Sequence, residues 1–347
     1  MAQSDICPQQ KNCTACTSQT DGFFTCRWCI ATNACYPHVL INSACANVGD
    51  VVSTPFNCPV EPFSRAPYSD VTARNSLFLS AAAYSPTPAA CLQQHMPTMV
   101  VYNQYDVLCD DRNNSCWAYT AVSTSDRRVV ISFRGTRGFE QLALEIFHGA
   151  EGTFGKMVDF AAGGKVIDYF SYAFYAMWNS GLQRDLADLN QRYNDYQLWI
   201  VGHSLGGALA SMTSALVVTK GLWNFATVHL MTFGQPRVGD ISYAQIVEEN
   251  VAYRYRVVHE HDIVPHIPPE IPDGVVDSPI HHRFEVWYDN DMSYGSPFIL
   301  CFQPEDLHCS SAHLDLSVFD HLSYFGTSVG DYGRDNCTGP FDFGFPT

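Results

Sequence analysis

Positive charge is scarce in this chain: 19 Lys and Arg stand against 35 Asp and Glu, leaving a net charge of −16 over 347 residues. Nucleic acids and anionic membrane surfaces are bound by concentrated Lys and Arg, so this balance argues against both and suits a neutral substrate. Charge of either sign is sparse, at 16% of residues, whereas hydrophobic residues reach 46%, which excludes a disordered chain and provides for a large core. Internal repeats and low-complexity stretches are lacking. The first dozen residues lack an apolar signal core, so for a secreted protein this reads as a mature form whose leader has been removed.

One uncharged run, Tyr196 to Thr219, is long enough to be mistaken for a membrane span. Its centre holds Gly202, His203, Ser204, Gly206 and Gly207, which fits a buried strand turning into a buried helix, and no transmembrane segment is expected. Metal-ligand spacing is missing too. The pairs His281/His282 and His259/His261 lack the helical spacing of zinc enzymes, so neither a metal nor a cofactor is expected.

Cysteine, by contrast, is abundant: the chain has fourteen, and Cys7, Cys13, Cys16, Cys26, Cys29, Cys35, Cys45 and Cys58 all fall at its start. Disulfides persist in oxidising compartments, so this density points to a secreted, extracellular protein. Sequons at Asn12, Asn113 and Asn336 mark candidate glycosylation sites and agree with that route. Residues 1–60 are expected to form a small disulfide-stabilised module, because so short a segment cannot bury enough apolar surface unaided. The two Cys-x-x-Cys pairs, Cys13/Cys16 and Cys26/Cys29, are spaced too closely for the usual zinc ribbon, so four disulfides are the expected state. In the remainder, Cys109/Cys116 and Cys301/Cys309 are near enough to close small loops, which leaves Cys91 with Cys337, one of fifteen possible connectivities.

Beyond a proline-containing link, residues 61–347 alternate between strand and helix patterns. A helix is expected over Val71 to Tyr84 and a β-branched strand over Arg128 to Phe133. A helix with Leu182, Leu186 and Leu189 on one face precedes a strand at Leu198 to Val201 and a helix from Leu205 to Lys220. Further strands are expected at Val228 to Phe233 and Tyr253 to Val258. Such alternation predicts an α/β fold with a mostly parallel sheet flanked by helices.

The strongest chemical signal is Gly202-His203-Ser204-Leu205-Gly206, a Gly-x-Ser-x-Gly pattern between an expected strand and an expected helix. There a serine projects from a sharp turn that only flanking glycines permit, making Ser204 the candidate nucleophile. The N–H of Leu205, at the helix start, is a candidate oxyanion-hole donor. On α/β-hydrolase folds an acid and then a histidine follow the serine. Asp262, at a strand's carboxyl end before Pro265, is the favoured acid, with Glu260 as its rival. For the base, chain order favours His321 but leaves His313, His282 and His281 open.

Several segments together resemble the class 3, or fungal-type, triacylglycerol lipase family. They are Phe133-Arg134-Gly135-Thr136, Gly202 to Ala210, Thr232 to Gly239, Arg256 to Pro265 and Asp320 to Tyr324. The resemblance implies an α/β-hydrolase fold and a Ser204–Asp262–His321 catalytic triad. It also implies a second oxyanion donor at Thr136 and a lid just after it, presenting Phe139, Leu142, Leu144, Ile146 and Phe147. The family's usual lid tryptophan is absent, and Glu140 and Glu145 lie in the segment. The first module, with Trp28 between Cys26 and Cys29, resembles the plexin–semaphorin–integrin type, an arrangement found with lipase-like proteins of nematodes. Its partner is unknown. The implied activity is hydrolysis of lipid carboxylic esters, triacylglycerol-type, with a lipid–water interface as the expected setting. A phospholipase A1, galactolipase or feruloyl-type esterase on the same fold is the alternative, and a non-catalytic secreted binding protein is a further one.

Overall fold

The computed structural model describes residues 6–109, 115–135, 156–269 and 278–344. They divide into two units, Met1–Glu61 with Cys301–Ala312, and Pro62–Leu300 with His313–Thr347. The expected division at residue 60/61 makes no allowance for Cys301–Ala312, which packs within the first unit.

Four disulfides hold the first unit's N-terminal part together: Cys7–Cys26, Cys13–Cys58, Cys16–Cys35 and Cys29–Cys45. Each Cys-x-x-Cys pair therefore sends its two sulfurs to different partners, which leaves no thiolate for zinc. Trp28 sits buried among the cystines, on the middle strand of a three-stranded antiparallel sheet. Asn12 caps the helix Cys13–Thr17, its side chain accepting from the Ala15 N–H at 2.8 Å. The 301–312 segment is closed by Cys301–Cys309, and Gln303 donates to the Asn57 carbonyl at 2.9 Å.

The second unit is built on an eight-stranded sheet whose spatial order follows the chain. Its strands are β1 (Val100–Leu108), β2 (Ser115–Ser123), β3 (Arg128–Phe133), β4 (Gln197–His203), β5 (Val228–Phe233), β6 (Tyr253–His259), β7 (Glu285–Tyr288) and β8 (Ile299–Cys301). β1 to β3 run antiparallel and β3 to β7 parallel. Cys109–Cys116 clips the first hairpin, and Cys91–Cys337 links the beginning of the unit to its end. The parallel strands are apolar on both faces because helices cover both: Leu198, Ile200 and Val201 of β4 are all fully buried.

Four helices matter for the site: α1 (Asp70–Ala82), α2 (Asp168–Met177), α3 (Leu205–Thr219) and α4 (Ile241–Asn250). α1 starts at Ser69, whose side chain accepts from the Thr72 N–H, and ends before the Ser85-Pro86 break. α3 is buried from Leu205 to Val217, which explains the uncharged run as core rather than membrane span. Among the described residues no helix is long and apolar enough to cross a membrane. The α/β-hydrolase architecture and the mostly parallel sheet expected from the sequence are both present.

Candidate active site

Ser204 stands between β4 and α3 with φ 62° and ψ −134°, a conformation that ordinary residues avoid. Glycine makes the turn possible. A Cβ on Gly202 would lie 2.2 Å from the Gly206 carbonyl oxygen, and one on Gly206 would lie 2.2 Å from that of Phe133. The turn is fixed by the Ser204 N–H donating to the Phe233 carbonyl at 2.9 Å, on the neighbouring strand β5. The Ser204 hydroxyl is buried and has no hydrogen-bond partner among the described residues. Leu205 opens α3, where first-turn N–H groups have no intrahelical carbonyl.

Asp262 and His321 come together from 59 residues apart, both buried, with Nδ1 of His321 3.0 Å from each carboxylate oxygen. Oδ1 also accepts from the Val264 N–H at 2.8 Å, and Oδ2 from the Tyr324 hydroxyl at 2.5 Å. Burial alone would raise the Asp262 pKa. The charge of His321, its hydrogen bond and those of Tyr324 and Val264 outweigh burial and hold the group below the usual carboxylate range. A carboxylate on this side fixes the His321 tautomer with the proton on Nδ1, which leaves Nε2 as the acceptor. The segment carrying Asp262 is stitched to the one carrying His321 by backbone bonds, Ile263 N–H to Ser317 carbonyl and Ser317 N–H to His261 carbonyl.

A second chain of bonds runs behind Ser204. His203 stacks on His321 with centroids 4.5 Å apart, and its Nε2 lies 2.8 Å from the His321 carbonyl. A carbonyl only accepts, so Nε2 carries the proton. Burial first, then the nearby charge of His321, lowers the His203 pKa to about 3, leaving the ring neutral. Its Nδ1 therefore accepts from the Tyr84 hydroxyl at 2.8 Å, and Tyr84 in turn accepts from the Gly135 N–H at 3.1 Å. Tyr84, just past α1, thus joins the turn before Thr136 to the turn before Ser204.

The rival residues lie elsewhere. Glu260 is partly exposed, with its carboxylate 3.9 Å from His259 Nε2. His281 donates to the Pro265 carbonyl and His282 to that of Arg283, both buried. His313 sits beside Asp315. Thr136 and the expected lid residues Phe139, Leu142, Leu144, Ile146 and Phe147 fall outside the described residues, as does Asn113. Asn12 is exposed, while the Asn336 side chain accepts from the hydroxyls of Ser85 and Thr87.

Sequence reasoning gave no role to Tyr84, His203, Gly234 or Tyr324. Gly234 has φ 54°, and a Cβ there would lie 2.5 Å from Asp262 Oδ2 and 2.7 Å from His321 Nδ1. His203, Gly234 and Tyr324 lie inside the family-like segments. Tyr84 lies in none.

The sheet, the strained serine and the buried Asp–His pair define an α/β-hydrolase with the furnishings of a serine hydrolase. The family model "Lipase (class 3)" matches residues 130–271. The chain is 33% identical to lipase ZK262.3 of Caenorhabditis elegans over 310 residues, 81% of this chain and 86% of the relative. The structure of Rhizomucor miehei triacylglyceride lipase superimposes with a TM-score of 0.63 at 27% identity, covering 76% of this chain and 97% of that one. A triacylglycerol lipase whose catalytic centre is a serine protease triad gives a TM-score of 0.64 at 26% identity, covering 76% and 98%. This chain belongs to the class 3 lipase family and is a homologue of triacylglycerol lipases.

Proposed function

We propose that the protein is a secreted lipase that hydrolyses triacylglycerol-type esters through an acyl-enzyme on Ser204. The observation that carries this reading is the buried Asp262–His321 pair, whose histidine stacks on the residue preceding a strained serine. His321 takes the Ser204 proton as the hydroxyl oxygen attacks the ester carbonyl, and Asp262 stabilises the imidazolium that forms. The proton then passes to the leaving alcohol, and water releases the acyl group by the reverse sequence. In the resting site the serine hydroxyl must first turn towards His321, a contact that tightens when substrate arrives. The oxyanion is received by the N–H of Leu205 and, on the family pattern, by Thr136.

Lipid as substrate is supported by two large apolar side chains on the segment that carries His321, Leu314 at 93% and Phe319 at 82% exposure. The seven disulfides support secretion. The first unit is read as a module of the plexin–semaphorin–integrin type, supported by Trp28 packed among its cystines.

The test pairs a fluorophosphonate probe with a substrate panel. Wild-type protein should label and Ser204→Ala should not, with hydrolysis falling by about 10⁴-fold or more. Emulsified triacylglycerol should be turned over faster than phospholipid, galactolipid, feruloyl or short soluble esters. Folded wild-type protein that neither labels nor hydrolyses any of them would make it a binding protein instead.

A further inference from the structure

Away from the Ser204 site, three side chains spread along the sequence meet at the surface. His261 Nδ1 lies 3.1 Å from Asp315 Oδ2, and His313 Nδ1 lies 3.8 Å from Asp315 Oδ1. The two imidazoles are stacked, with centroids 4.7 Å apart, and the Trp287 ring backs His313 at 4.9 Å. One ligand atom from each of the three residues lies within 4.8 Å of the other two. We propose that His261, His313 and Asp315 bind one divalent transition-metal ion of the zinc type.

The donor set selects the ion. Two imidazole nitrogens and one carboxylate oxygen suit zinc and its neighbours, whereas calcium and magnesium take oxygen ligands. Ligand atoms about 2.0–2.1 Å from a tetrahedral ion stand roughly 3.3 Å apart. The present spacing therefore closes onto an ion by small side-chain rotations. Asp315 is free to make them, since its side chain is 73% exposed. A fourth position stays open to water, and the net charge of −16 raises the local concentration of cations. His308 makes a useful contrast. Its two nitrogens face two different carboxylates, Asp306 at 2.9 Å and Asp50 at 3.4 Å, which is an ion-pair arrangement with a single imidazole.

The location gives the ion a purpose. His261 precedes Asp262 in the chain, and His313 and Asp315 lie on the segment that leads to His321. Those two segments are already joined through Ser317, and the His261 N–H also donates to the Asp320 carboxylate at 3.1 Å. A cation across His261, His313 and Asp315 adds a side-chain clamp at the same junction and takes no part in the chemistry at Ser204. Its effect is to hold the Asp262 and His321 segments together against heat.

Full-length protein, treated with chelator and dialysed, would be titrated with zinc, calcium and magnesium by calorimetry. Zinc should bind at one site with micromolar affinity, calcium and magnesium should not, and cobalt in place of zinc should give the visible bands of a tetrahedral nitrogen–oxygen site. His313→Ala and Asp315→Ala should each weaken zinc at least tenfold and abolish the rise in Tm that zinc gives the wild type. His308→Ala should leave both unchanged. Because Asp315 is exposed, its variant keeps the fold and tests the site even if His313→Ala does not. Zinc binding that is absent from wild type, unaltered in Asp315→Ala, or lost in His308→Ala would overturn the assignment. Because the first readout is binding alone, this result stands apart from whether Ser204 hydrolyses esters.

Discussion

Gly234 offers the sharpest test of how the buried acid–base pair is held. Replacing it with Ala has two separable effects. Its φ of 54° lies in the left-handed region, where a Cβ costs about 1–2 kcal/mol of stability. The new methyl would also sit 2.5 Å from Asp262 Oδ2 and 2.7 Å from His321 Nδ1, where ordinary contact begins at 3.4 Å. Neither group can withdraw into free space, because both are fully buried and the carboxylate is held by Val264 and Tyr324. The pair must therefore move apart, or away from Ser204, by roughly 1 Å, a displacement that costs on the order of 10²-fold in rate. Gly221→Ala is the matched control, since Gly221 has φ 66° and a methyl there would meet nothing within 4 Å. In a thermal melt both variants should lose the cost of the left-handed backbone, and Gly234→Ala should lose more, by the clash with the buried pair. Only Gly234→Ala should lose kcat on a soluble ester, with KM little changed. Equal kcat in the two variants would refute the claim that this glycine exists to let the pair close.

Two further substitutions probe the bonds around that pair. Tyr324→Phe removes one donor to the buried carboxylate, which should raise the Asp262 pKa and cost about 1.5–3 kcal/mol at neutral pH. Because the folded pKa lies below the unfolded one, this stability is present above the unfolded value and lost as pH falls through the folded value. Chemical denaturation should thus separate variant from wild type at pH 7 and bring them together in acid. Tyr84→Phe takes a partner from both the Gly135 N–H and His203 Nδ1, so kcat should fall about tenfold with stability down by about 1–3 kcal/mol. Unchanged kcat would show that the bond chain behind Ser204 is only structural.

What could be read from the sequence was what is local. The elbow around Ser204 was legible because one turn dictates it: glycines at 202 and 206, an apolar strand before and an apolar helix after. The parallel strands β3 to β6 were legible for the same reason, being short apolar runs at the expected places, whereas β7, with Glu285 within it, was missed. Asp262 could be named from its position after a strand, but His321 could not be separated from three other histidines without a motif. Its selection is physical: of the four histidines it is His321 whose ring nitrogen meets the Asp262 carboxylate, on a segment bonded to the acid's own through Ser317 and Asp320. Tyr84 carried no signal, because its role depends on α1 crossing behind β4, a packing relation that no residue pattern near it encodes. The first hairpin, Val100–Leu108 with Ser115–Ser123, was missed because its antiparallel edge mixes exposed and buried positions.

The same contrast explains how the site divides its labour. Ser204 follows β4 and Asp262 follows β6, the two strands that flank β5, so the sheet's register fixes their spacing to the precision of backbone hydrogen bonds. His321 has no strand beneath it. It lies on a short helix, Val318–Leu322, and is held from four sides: Asp262 on its ring nitrogen, His203 on its face and on its carbonyl, and Ser317 through the neighbouring backbone. A base with that support keeps its orientation only while its segment stays attached to the acid's, so heat or substitution at the 261–317 junction should disable the enzyme before the sheet itself melts. The histidine arm, rather than the nucleophile elbow, is the weak joint of the catalytic apparatus.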